Sequence, residues 1–148
     1  MAKEFTFELQ NILDFRNFEK EQAQNELAKA LAVETQINNQ LQDIAAKFIS
    51  VRNHIDDSSD FEDIAIGNRR KVLLETQKED LLNKLAQAKL VSDEKRAALA
   101  EIMKKTTALE KLREKEEEAF KEEQQREENE FVDDLTNSNK RLSGRARQ

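Results

Sequence analysis

The sequence contains no cysteine, proline, tryptophan or tyrosine, and only 2 of its 148 residues are glycine. Without cysteine there is no disulfide framework and no thiolate metal site. Proline and glycine form many of the tight turns of compact folds, so their scarcity disfavours a fold with frequent turns. Hydrophobic residues make up 37% of the chain, which is less than in a typical globular domain. The sequence therefore indicates a long helical structure.

Residues that would support catalysis or cofactor binding are sparse. The single histidine, His54, has no cysteine or second histidine with which to bind a metal. The acidic residues at 56–63 lack the spacing and the glycine of a calcium-binding loop. The sequence also has no glycine-rich phosphate loop and no nucleophile elbow. We therefore expect no enzyme activity, no metal and no cofactor.

Net charge and hydropathy indicate where in the cell the protein is expected and which partners are disfavoured. The net charge of -6 disfavours general nucleic-acid binding, which depends on neutralising phosphates. No apolar run approaches the roughly 20 residues that span a bilayer, and the N-terminus has no signal-peptide h-region. These features predict a cytoplasmic protein.

Two hydrophobic seams dominate the middle of the chain. In the first, steps of three and four alternate, as in a coiled coil. Its positions are Leu27, Ala30, Glu34, Ile37, Leu41, Ile44, Phe48, Val51 and Ile55. The second has a spacing of seven and runs through Leu74, Leu81, Ala88, Lys95, Ile102 and Leu109. Glu34 interrupts the first seam, and Ser92 and Lys95 are poor core residues in the second, which indicates a wet patch or a face that binds something else.

A polar break at residues 55–70 separates the seams. Ser59 followed by Glu62 matches a capping box for a second helix, and Gly67 with Asn68 predicts another break. We therefore predict an all-α fold, a long antiparallel two-helix coiled-coil hairpin with an overhanging charged second helix. The chain forms one domain, 1–148, divided into helix one at 5–56, a turn at 57–68, helix two at 69–136 and a disordered basic tail at 137–148.

The position of the turn predicts which residues face each other. With the turn centred near residues 60–62, Leu27 faces the region of Lys95, and Leu13 faces approximately residues 107–111. The N-terminal stretch around Phe5 and Phe7 then lies against residues 109–113 or a few residues beyond. Its strand-like alternation is interpreted as an extended lead into helix one, with the two rings closing the open end of the hairpin. Because two helices bury only a narrow stripe, a partner is expected.

Acidic residues concentrate near the end of the second helix. Residues 113–134 contain eleven Asp or Glu and four Lys or Arg, and residues 140–147 carry four positive charges. A solvated helix face with pairs such as Glu117 and Lys121 is the simpler interpretation of the acidic run, and a binding patch is the alternative.

Motifs at both ends of the chain resemble a known family. The opening FTFELQNILDFR and the later LEKLREKEEEAFKEEQQREENEFVDDL are similar to the terminal signatures of FliJ, the small coiled-coil component of the bacterial flagellar type III export apparatus. The resemblance implies a non-enzymatic stalk that looks like the gamma subunit of rotary ATP synthases. Such a protein binds the hexameric export ATPase, contacts the export-gate protein FlhA, recycles export chaperones and supports flagellar assembly and motility.

The resemblance also implies particular residues and a location. The ATPase-binding end would comprise Phe5, Phe7, Leu9, Leu13, Arg16, Leu109, Leu112, Arg113, Glu114 and Phe120. Contact with the export gate would involve Leu41, Phe48, Val72 and Leu73. The stretch NRRKVLLE lacks the aromatic residue that many members carry early in helix two. The protein would be monomeric when isolated, and its partners would hold it at the cytoplasmic face of the inner membrane.

A second hypothesis remains open. The seams can instead pair between two chains, giving a homodimeric coiled-coil scaffold or a prefoldin-like chaperone. Residues 55–70 show none of the alternating apolar strands that the prefoldin-like version requires.

Overall fold

A computed structural model describes residues 3–146, and two α-helices contain almost all of them. Helix α1 spans Gln10–Asp57 and helix α2 spans Phe61–Ala146. The two helices pack against each other as a hairpin, and the part of the chain described here contains no strand. The predicted all-α hairpin is therefore confirmed.

The connection between the helices is shorter than the sequence indicated. It consists of residues 58–60, whereas the predicted turn covered 57–68. Asp60 caps α2, because its Oδ1 accepts a hydrogen bond from the backbone N–H of Glu62 at 3.1 Å. The Ser58 hydroxyl accepts a further bond from the Asp60 N–H at 3.3 Å. The cap is therefore Asp60 rather than Ser59, and α2 begins eight residues earlier than predicted, at Phe61 instead of residue 69.

Gly67 lies inside α2 and does not break it. The residue is buried, and a Cβ atom at this position would lie 2.5 Å from Cγ1 of Ile55. Its small size therefore allows the two helices to approach closely beside the turn. The predicted second break at Gly67 and Asn68 is wrong, because the glycine serves packing and not a change of chain direction.

Helix α2 also extends further than predicted at its other end. It continues to Ala146, whereas the sequence indicated an end at 136 followed by a disordered tail. No proline interrupts residues 137–146, and basic residues near a helix C-terminus favour the helical state. Residues 147 and 148 lie outside the described residues.

Residues 19–102 form one compact unit around the first seam. All nine predicted seam positions on α1 are buried or half-buried, which confirms this part of the prediction. The core of the unit is made by Ile44, Val51 and Leu74. Phe48, Ile55 and Leu81 pack against it.

The polar residues of the two seams meet inside this unit. The Ser92 hydroxyl donates to the Glu34 carboxylate, and it also lies 3.0 Å from the backbone oxygen of Lys89. The Ser92 side chain is only 1% exposed. Lys95 Nζ lies 3.8 Å from Glu26 Oε2, which agrees with the predicted register of Leu27 against the Lys95 region. The polar patch is therefore part of the contact between the helices.

Candidate partner-binding end

The second compact unit contains residues 3–18 and 103–146, and Phe5 makes contacts with side chains of α2 in it. The rings of Phe5 and Phe120 have centroids 5.7 Å apart and are tilted by 51°. The guanidinium carbon of Arg113 lies 5.6 Å from the centroid of the Phe5 ring. Both distances fall in the favourable range for aromatic and cation–π pairs. We call Phe5, Phe7, Gln10, Arg113 and Phe120 the terminal clasp.

Arg113 connects the two helices within the clasp. Its Nε donates to Oε1 of Gln10 at 3.1 Å, and its Nη1 donates to Oε2 of Glu117 at 3.2 Å. Lys121 Nζ lies 3.8 Å from Glu117 Oε1, so the predicted Glu117 and Lys121 pair is present. One guanidinium group thus contacts an aromatic ring, an amide and a carboxylate, a combination that its planar shape and several N–H donors allow.

The segment before α1 is held by its alternating phenylalanines. Residues 3–7 are neither helix nor strand, and the Gln10 N–H donates to the Phe7 carbonyl at 3.1 Å as the helix begins. Phe7 is 4% exposed, as is Leu13 one turn into α1. Burial of these two side chains keeps the N-terminal segment against the helices.

The structure places all ten predicted ATPase-binding residues in this unit, but at different depths. Two are buried, namely Phe7 and Leu13. Six are half-buried: Phe5, Leu9, Arg16, Leu109, Arg113 and Phe120. Two are exposed, namely Leu112 and Glu114. The buried residues therefore support the unit from within, and the exposed ones are available to a partner.

Sequence reasoning missed three exposed apolar residues on α1. Ile12 is 47% exposed, Phe15 56% and Phe18 57%. Their spacing of three places them along one side of the helix, which we call the α1 apolar face. The signal was present in the sequence, because none of the three falls on the first seam when that seam is extended back from Leu27.

The four residues assigned to the export gate divide into two kinds. Leu41 and Phe48 are half-buried members of the seam. Val72 and Leu73 are mostly exposed, beside the buried Leu74. Only Val72 and Leu73 therefore present most of their surface outside the hairpin.

A comparison with known protein families gives a match over nearly the whole chain and not only at the terminal motifs. The family described as "Flagellar FliJ protein" matches residues 5–145. The chain belongs to the FliJ family. No curated protein and no solved structure gives a significant match. Membership of the FliJ family connects the chain with flagellar protein export.

The FliJ match includes the end of α2, where a helical segment has no packing partner among residues 3–146. We call residues 125–144 the overhang, because every one of them is exposed. Its large apolar residues are Phe131, Val132, Leu135 and Leu142. Arg126 Nη2 lies 2.7 Å from Glu123 Oε1, and this hydrogen bond raises the pKa of Arg126.

Two further observations on this FliJ-family chain concern membrane-spanning helices and metal-binding groups. In the described range, 3–146, neither helix is apolar enough over a sufficient length to cross a membrane. Across the same residues, no three His, Asp or Glu side chains are grouped so that they could hold a metal ion.

Proposed function

We propose that this chain is a non-enzymatic stalk of the flagellar type III export apparatus. It binds the export ATPase hexamer through the unit that contains the terminal clasp, contacts the export-gate protein FlhA, and assists the recycling of export chaperones. These partners hold it at the cytoplasmic face of the inner membrane. FliJ-family membership supports an export role, and the partners and their binding surfaces are our proposal.

The α1 apolar face is the observation that carries the ATPase assignment. Phe15 and Phe18 each leave more than half of their side-chain surface exposed on one side of α1. Grouped apolar side chains on a surface commonly mark a contact with another protein. Aromatic side chains are also enriched among the residues that contribute most to protein interfaces.

The terminal clasp has a supporting role in this proposal. It fixes the start of α1 against α2 through Phe5 and Arg113, so that the α1 apolar face is presented in one orientation. A preorganised surface loses less conformational entropy on binding than a mobile one. Loss of the clasp should therefore weaken binding even though most of its atoms do not form the surface.

Stimulation of the cognate export ATPase tests the proposal. We expect wild type to raise the rate of ATP hydrolysis, and the Phe15→Ala plus Phe18→Ala variant to lose most of that increase. Phe5→Ala plus Leu9→Ala should lose it as well, because the first change removes a member of the terminal clasp and the second removes a half-buried side chain just before α1, so the N-terminal segment is held less firmly. Val72→Ala plus Leu73→Ala is the matched control, since it removes comparably exposed apolar side chains from the other unit.

The control variant should stimulate the ATPase as wild type does, and it should bind FlhA more weakly than wild type. An equal loss of stimulation in all three variants would show that the α1 apolar face is not the ATPase contact. Absence of any stimulation by folded wild type would rule out the stalk function.

The alternative of a prefoldin-like chaperone receives no structural support. That function requires a β-hairpin between the helices, and the described connection at 58–60 is three residues without a strand.

A further inference from the structure

The polar patch interrupts a contact between helices that is otherwise apolar. The Ser92 hydroxyl donates to the Glu34 carboxylate from the opposite helix, and Ser92 is only 1% exposed. Glu34 is half-buried. Across residues 3–146, no buried side-chain nitrogen or oxygen lacks a hydrogen-bond partner. The patch is therefore a satisfied polar contact, and it depends on one particular alignment of the two helices.

The spacing of the seams is compatible with a second alignment. Apolar positions on α2 recur every seven residues, for example at Leu74, Leu81 and Ala88. In the structure, Val51 and Leu74 share the core of the unit, and Leu81 packs against that core. If α1 slid by seven residues along α2, Val51 would lie opposite Leu81, and Ile44 would lie opposite Ala88. We call this alternative the shifted register, and these apolar positions do not exclude it.

The polar patch distinguishes the two alignments. In the shifted register, Glu34 would lie opposite Leu99, and Ser92 would lie opposite Leu41. Both leucines are half-buried and have no group that can form a hydrogen bond with them. Ser92 would keep its bond to the Lys89 carbonyl of its own helix, but the Glu34 carboxylate would lose its hydroxyl donor. A partly buried carboxylate without its donor is unfavourable, so the shifted register is penalised chiefly at Glu34.

The turn favours the observed alignment only in part. A slide of seven residues moves the centre of the connection by about half that number, from 58–60 toward Gly67 and Asn68. Glycine and asparagine are suitable turn residues. The shifted register would give up the Asp60 cap and the close approach of Gly67 to Ile55. These losses lie beside the turn, whereas the polar patch acts on the middle of the two seams.

We propose that the polar patch is a register lock, in which Glu34 and Ser92 keep α1 and α2 in the observed alignment by making the shifted register unfavourable. One polar position in an apolar seam fixes the register of coiled coils at a cost in stability. A slide of seven residues displaces one helix by about 10 Å along the other, so a rod of constant shape requires a single register. The inference goes beyond the stalk function, because it concerns the purified chain without a partner.

Crosslinking between engineered cysteines reports the register. The chain has no cysteine of its own. Glu26→Cys with Lys95→Cys reports the observed alignment, because Lys95 Nζ lies 3.8 Å from Glu26 Oε2. Glu26→Cys with Ile102→Cys reports the shifted register, in which residue 102 takes the place of residue 95. A short bismaleimide is applied to dilute protein, and only crosslinks within one chain are counted, in the monomer band of a denaturing gel.

Each cysteine pair is placed in the wild-type seam and in a seam with Glu34→Leu plus Ser92→Ala. In the wild-type seam, we expect efficient crosslinking from position 26 to position 95 and little to position 102. In the apolar seam, the yield at position 102 should rise at least about threefold, because both alignments then pair apolar residues. The yield at position 95 should fall correspondingly. The Asp60 cap still favours the observed register, so both crosslinks should be present.

Two controls separate the lock from general effects of the substitutions. Glu34→Gln keeps an acceptor for the Ser92 hydroxyl and should keep the wild-type crosslinking pattern. Glu75→Leu plus Thr76→Ala makes the same two kinds of chemical change at exposed positions, and it should also leave the pattern unchanged. Circular dichroism of the apolar seam should show the helix content of wild type.

Three results would overturn the proposal. The first is an unchanged ratio of the two crosslinks in the apolar seam. The second is a change in either control as large as the change in the apolar seam. The third is a loss of helix content in the apolar seam, because the proposal requires that apolar residues can fill these positions.

Discussion

Gly67 shows how one missing side chain sets the spacing of two helices. A methyl group there would lie 2.5 Å from Cγ1 and 2.8 Å from Cδ1 of Ile55. Replacing glycine by alanine inside a helix contributes about 1 kcal/mol in helix propensity. Forcing extra volume into a packed contact costs about 1–3 kcal/mol, so the packing effect outweighs the propensity. The close approach at this residue is not visible in the sequence, where glycine resembles a helix end.

We predict that Gly67→Ala lowers the midpoint of thermal unfolding, measured by circular dichroism. Gly144→Ala is the matched control, because a Cβ atom at that glycine meets nothing within 4 Å. Gly144→Ala should leave the midpoint unchanged or raise it slightly. A stabilising effect of Gly67→Ala equal to that of Gly144→Ala would contradict the packing account.

At the scale of the helices, the two seams could be predicted but their polar partners could not. The heptad spacing identified the buried positions of α1, because apolar residues on one side of a helix must be covered. Glu34 and Ser92 were recognisable only as interruptions. That they bond to each other depends on the register between the helices, which the position of the turn predicts only to within a few residues.

We predict that Ser92→Ala lowers the free energy of unfolding by about 1–2 kcal/mol, since it leaves the half-buried Glu34 carboxylate without its hydroxyl donor. Adding Glu34→Leu should return the free energy of unfolding to the wild-type value or raise it above that value, because an apolar pair then fills the seam. Urea unfolding of the two single variants and the double variant measures the coupling.

The control for this cycle is Thr76→Ala. The Thr76 hydroxyl is exposed, and among the described residues it bonds only to the Val72 carbonyl of its own helix, 3.1 Å away. Its removal should change the free energy of unfolding by less than about 0.5 kcal/mol. Additive effects of Ser92→Ala and Glu34→Leu would show that the pair does not link the helices.

The ends of the helices were the least predictable elements. The length of the connection depends on a hydrogen bond from Glu62 to Asp60, and several Asp and Ser residues at 56–60 were equally suitable caps. Helix α2 continues to Ala146 without a proline to end it, whereas the polar composition of residues 137–146 favoured the prediction of a disordered tail. Local chemistry therefore located the break to within a few residues but not its cap.

At the scale of the whole molecule, the sequence predicted which residues belong to the unit that is proposed to bind the ATPase. It did not predict which of these residues are exposed. The terminal motifs predict that Phe5 and Phe120 belong to one region, and their ring centroids are indeed 5.7 Å apart. The sequence did not distinguish residues that hold the clasp from residues that remain outside it. Exposure separates them, because Phe7 and Leu13 are buried whereas Phe15 and Phe18 are not.

The central claim is that the α1 apolar face contacts the export ATPase, and photocrosslinking from single cysteines tests it most directly. The chain has no native cysteine, so Phe18→Cys and Val72→Cys each carry one label at a residue that is mostly exposed. With the cognate ATPase hexamer present, we predict a crosslink to the ATPase from position 18 and none from position 72. No crosslink from position 18, or equal crosslinking from both positions, would contradict the account.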